Sequence, residues 1–154
     1  MIAALLLHAL LSGAGSPDAL PLPPSLREDT LAACAPTTLE QAEQCLRTAL
    51  SPADLAIVED RIPARQFRPG LDQALVRAWR LDDPASPMGR LMQTLIGIDW
   101  PDAAASMIIS DLQVRSYDPR GLDFEIIRRH FRENPRPPED PVQRKDGGED
   151  SDAD

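Results

Sequence analysis

The stretch GLDQALVRAWRL, residues 70–81, decides the fold class. Leu71, Ala74, Leu75, Ala78 and Trp79 recur at i, i+3, i+4, i+7 and i+8, which gathers them on one side of an α-helix facing a core. The neighbouring segments repeat that period. Upstream, TTLEQAEQCLRTAL places Leu39, Ala42, Leu46 and Ala49 at helical spacing, with Thr37 or Thr38 as cap and Glu40 or Gln41 at the capping-box position. SPADLAIVEDRI follows, with Ser51 to cap, Pro52 in the first turn, Leu55, Val58 and Ile62 as the apolar stripe and Pro63 as the stop.

Downstream, Ser86-Pro87 starts another helix with Leu91, Met92, Leu95 and Ile96 as its stripe and Gly97 as its end. WPDAAASMIISDLQV starts near Pro101, and Asp123 caps a last helix carrying Phe124, Ile127 and Phe131. No stretch alternates apolar and polar residues for long, and β-branched residues are scattered. The expected fold is all-α: a small bundle of five to six short helices spanning 36–133.

Both ends read differently from this body. Ile2 to Leu11 is an apolar run interrupted only by His8, followed by the small residues Ser12 to Ser16. That is the outline of a secretory signal over 1–16, too short to span a bilayer, although no Lys or Arg precedes the run. Residues 17–35 read as a proline-rich linker. Residues 134–154 hold seven acidic and three basic side chains and one aliphatic of any size, Val142. Such a segment cannot bury enough apolar surface to order itself, so a disordered acidic tail is expected.

The net charge is −9, and fifteen of the sixteen basic residues are Arg, Lys145 being the exception. An acidic chain with no basic stripe lacks the footprint of a nucleic-acid binder. The expected location is periplasmic or secreted, with no stable membrane anchor once the signal is removed. Without a working signal the chain would be cytoplasmic.

Cys34 and Cys45 are the two cysteines, and in an exported chain they point to a disulfide. Cys45 lies about 10 Å along its helix at the usual rise. The four residues 35–38 span roughly 13 Å when extended, so a bridge is within reach. Leu31-Ala-Ala-Cys34 also matches a lipoprotein processing site, but Arg27, Glu28 and Asp29 stand where the apolar run should reach the cysteine. Two unpaired thiols in a cytosolic protein are the remaining alternative.

The segments FRPGLDQALVRAWRL and GIDWPDAAASMII, with TTLEQA and LSPADL before them, resemble a family of small bacterial helical domains of uncharacterised function. Arg77, Trp79 and Leu81 echo its Arg- and Trp-rich helix with shifted spacing. Pro101 and Asp102 fit its Pro-Asp step, while Ser106 stands one place late. The resemblance covers about 36–116. It implies a helical domain and supplies no activity.

Catalytic signals are few. Ser106 has no histidine near it in sequence, and His130 sits on an Arg-rich helix. Asp82, Asp83, Asp99 and Asp102 flank helix starts, where carboxylates commonly serve the helix ends. Neither a phosphate-cradling glycine loop nor a metalloprotease signature occurs, and no metal or cofactor is expected. The candidate binding residues are Arg77, Trp79, Arg80, Trp100 and Asp102: the tryptophans as core or groove anchors, the arginines to orient an acidic partner group. The expected function is that of an exported, non-catalytic interaction domain with a protein partner. The alternatives are an envelope hydrolase using Asp102 with Arg77 or Ser106, and a structural envelope component.

Overall fold

A computed structural model describes residues 19–97 and 99–135. The expected signal at 1–16 and the tail from 136 onward lie outside the described residues. The elements run α1 (Glu28–Ala33), α2 (Leu39–Ala49), α3 (Pro52–Glu59), a short 3-10 turn (Pro63–Gln66), α4 (Arg68–Trp79), α5 (Pro87–Ile96), α6 (Pro101–Arg115) and α7 (Phe124–Glu133). Among the described residues there is no strand.

Helix ends follow local chemistry. Thr38 accepts from the Gln41 amide at 3.2 Å, and the Gln41 side chain accepts from the Thr37 amide at 2.7 Å. Ser51 and Ser86 cap α3 and α5 with proline next in line, and Asp123 caps α7 through the Glu125 and Ile126 amides. Gly97 closes α5 with a positive φ of 75°.

Helix α6 is the centre, packing on α2, α3, α4 and α5. It buries Ala104, Ala105, Ile108, Ile109 and Leu112 around much of its circumference, as a central helix must. Two polar side chains share that interior and both are satisfied. Asp111 accepts from the Leu122 amide and from Arg115 Nε, each at 2.7 Å. Gln113 Nε2 donates to the Val58 carbonyl at 2.8 Å. Leu46, Leu71, Leu75, Met88, Met92 and Ile96 complete the core around α6.

Two expectations are corrected. First, among the described residues the α-helices number seven rather than five to six, and α1 falls within the stretch read as a linker. Leu31 in α1 is fully buried, and the Arg27 amide donates to the Ala49 carbonyl at 3.0 Å. A Cβ at Gly70 would lie 2.3 Å from the Pro21 carbonyl oxygen, so the chain already lies against α4 there. Six residues carry no readable period, and α1 is helical because α2 and α4 receive it. Second, Ile62 does not join the stripe of α3 but is 77% exposed. The Asp60 carboxylate accepts from the Ile62 amide at 3.1 Å, and this turn ends α3 before Ile62.

Cys34 and Cys45 lie at disulfide distance, their Cα atoms 6.0 Å apart, joining the end of α1 to the middle of α2. At the opposite end α7 rests on α5 with Phe124, Ile127 and Phe131 half-buried, and no α7 residue is fully buried. Among the described residues no helix is long and apolar enough to cross a membrane.

Candidate functional site

The five candidate binding residues fall in different places. Trp79 is a core residue, 5% exposed, and its indole Nε1 donates to the Leu31 carbonyl at 3.1 Å. It fastens α1 to α4 and is closed to a partner. Arg77, two residues earlier, is exposed and pairs with Glu28 of α1 at 3.0 Å. Arg80 takes the left-handed conformation (φ 50°) that ends α4 and pairs with Asp83 at 2.6 Å. Asp102 is exposed in the first turn of α6. Trp100 is half-buried beside α7, its ring edge-on to Phe131 with centroids 5.7 Å apart.

Two polar or concave features result. The first is a side-chain cluster between α4 and α6. Ser106 Oγ donates to Asp72 Oδ2 at 3.1 Å, and Arg68 reaches the Ser106 carbonyl and, at 2.8 Å, the Ser110 hydroxyl. Arg68 Nε faces Asp72 Oδ1 at 3.4 Å, an ion-pair contact without hydrogen-bond geometry. Burial holds the Asp72 carboxyl above its ordinary value against the pull of Arg68, and the nearby Asp102 charge adds to the rise. Burial likewise lowers the Arg68 guanidinium.

Arg68 and Asp72 escaped the sequence reading, although a signal existed. Arg68–Asp72 and Ser106–Ser110 are both i, i+4 pairs, able to face each other across two helices. The cluster includes Ser106 but neither Arg77 nor a histidine; His130 is exposed on α7 beside Asn134 and Phe131. Its hydroxyls are engaged in tying α4 to α6.

The second feature is a cleft of about 150 Å³ at the junction of the 81–86 loop, α5 and the start of α6. Leu81, Pro84, Met92 and Ala104 supply apolar lining, Trp100 an aromatic one, and Asp82 and Asp99 contribute carboxylates. Local geometry builds it. The left-handed Arg80 turns the chain out of α4 and sends Leu81 inward. A Cβ at Gly89 would lie 2.5 Å from the Asp83 carbonyl oxygen, so only glycine lets the loop settle on α5. Trp100, extended ahead of Pro101, closes the other side.

No family model, curated protein or solved structure matches the chain. Among the described residues no group of histidine, cysteine or carboxylate side chains is arranged to hold a metal.

Proposed function

We propose that the chain is an exported, non-catalytic helical interaction domain whose partner-binding face is the cleft at Trp100. The single observation that carries this reading is the concentration of a half-buried tryptophan, a buried methionine and two rim carboxylates around one concavity. Tryptophan at the edge of a pocket is the kind of anchor that dominates binding energy. The serine–carboxylate cluster, by contrast, is taken up with interhelical contacts.

Export is supported by the apolar leader in the sequence and by the Cys34–Cys45 pair, whose bridging suits an oxidising compartment. The resemblance to small bacterial helical domains belongs to the same proposal and adds no activity.

Site-specific photo-crosslinking in the native cell tests the interaction. A benzophenone side chain at Gln93, on the cleft, is expected to capture a discrete partner that the same probe at Gln73 on α4 does not. Identical products from both positions, or none from Gln93, would reject the cleft as the binding face. Intact mass of the recovered protein tests export: the expected species lacks the leader and two hydrogens. A full-length reduced chain would overturn that part.

A further inference from the structure

Resting on the interaction reading, we infer that the Trp100 cleft receives the side chain of a single arginine or lysine from a basic peptide segment of the partner. Size gives the first constraint. A cleft of about 150 Å³ is the scale of one long side chain. Drug-sized ligands occupy pockets of about 300–1,000 Å³.

The lining gives the second constraint. Met92 and Ala104 are buried beneath the opening, and Trp100 forms a wall. An aliphatic stem lies well on such a surface, and an aromatic wall attracts a cation.

The rim gives the third. Asp82 and Asp99 are exposed, and among the described residues neither carboxylate makes a hydrogen bond or an ion pair. Their neighbour Asp83 is engaged with Arg80, as Asp72 is with Arg68 and Asp118 with Arg120. The cleft thus presents negative charge that no arginine among the described residues compensates. With a net charge of −9, the whole molecule also draws cations toward it. A carboxylate or phosphate would meet repulsion at the rim, and a neutral apolar side chain would leave the rim charges unused.

Titration of the full chain, followed by NMR at the Trp100 indole and the Met92 methyl, tests the inference. The probes are the acetyl-methylamide derivatives of arginine, lysine, norleucine and glutamate. Arginine and lysine are expected to shift both signals, binding about fivefold more tightly than norleucine, which has a stem and no charge. The double variant Asp82→Asn, Asp99→Asn should reduce arginine to the norleucine level while its circular dichroism is unchanged.

Norleucine matching arginine, or the double variant matching the original chain, overturns the cationic assignment. Both results leave the interaction reading standing, because an apolar anchor would still fill the cleft. Silence from every probe overturns the inference alone if Gln93 still crosslinks a partner. If Gln93 crosslinks nothing as well, the interaction reading falls with it.

Discussion

Helix α1 has six residues and α7 has ten, yet the shorter helix is the more firmly fastened. Into α1 go a fully buried leucine, the Trp79 indole bond and the link from Cys34 to α2. Helix α7 leans on α5 through three half-buried side chains and a bond from Arg128 Nε to the Leu95 carbonyl at 3.3 Å. Helical pattern and helical anchorage are therefore separate properties. A strong amphipathic stripe forms a helix readily, but tertiary contacts determine what it costs to lift that helix away. The cleft at Trp100 lies beside the loosely held end, its ring edge-on to Phe131 of α7.

The contrast can be attacked by mutation. Leu31→Ala should cost about 2–5 kcal/mol in urea unfolding, whereas Phe131→Ala should cost about 1–2 kcal/mol because its ring is only half-buried. Equal losses would erase the distinction between the two ends. Replacing both Cys34 and Cys45 with serine should remove about 3 kcal/mol, from the closure entropy of a loop with a sequence separation of 11. Reductant should reproduce that loss in the original chain and leave the double variant unaffected; an original chain indifferent to reductant contradicts the clasp.

A smaller effect sharpens the comparison of the tryptophans. Trp79→Phe should lose about 1 kcal/mol, since the buried indole bond to the Leu31 carbonyl is removed and only the Cys34 amide still donates there. Trp100→Phe should change stability by less than about 0.5 kcal/mol while weakening partner capture. Reversal of that order would place the groove anchor at the wrong residue.

The smallest effects concern acid. Asp72 has its folded value raised by burial, so its contribution is complete below the ordinary carboxylate value of 3.8 and is lost as pH rises through the raised value. Asp118 is the opposite case, held at about 2 by its bonds from Arg120. Its contribution is present above 3.8 and is lost as pH falls toward about 2. In stability measured against pH, Asp72→Asn should remove the decline above pH 3.8, and Asp118→Asn should flatten the limb between 3.8 and about 2. Unaltered profiles would reject both assignments.

The same two helices show what the sequence reveals and hides. Phe124, Ile127 and Phe131 announce α7 through period and cap, although none is fully buried. Nothing in EDTLAA announces α1, because its helix depends on a groove between α2 and α4 that no local pattern encodes. Serine–proline starts at 51–52 and 86–87 fix helix boundaries, since capping is a local bond. The site was partly legible for the same reason. Trp100 stood out as a large aromatic beside a helix start, but Asp82 joins it only through the turn at Arg80, where a non-glycine residue takes a left-handed conformation. Ile62 shows the converse failure: a helical period continued on paper past the point where the Asp60 side chain had already ended the helix.

Native-state hydrogen exchange compares the two ends most directly. Amides of α4 and α6 are expected to exchange only through global unfolding, and those of α1 to join them while the Cys34–Cys45 link is intact. Amides of α7 should open locally at a free energy at least about 2 kcal/mol lower. Protection of α7 equal to that of α6, or exchange of oxidised α1 ahead of α7, would contradict the account.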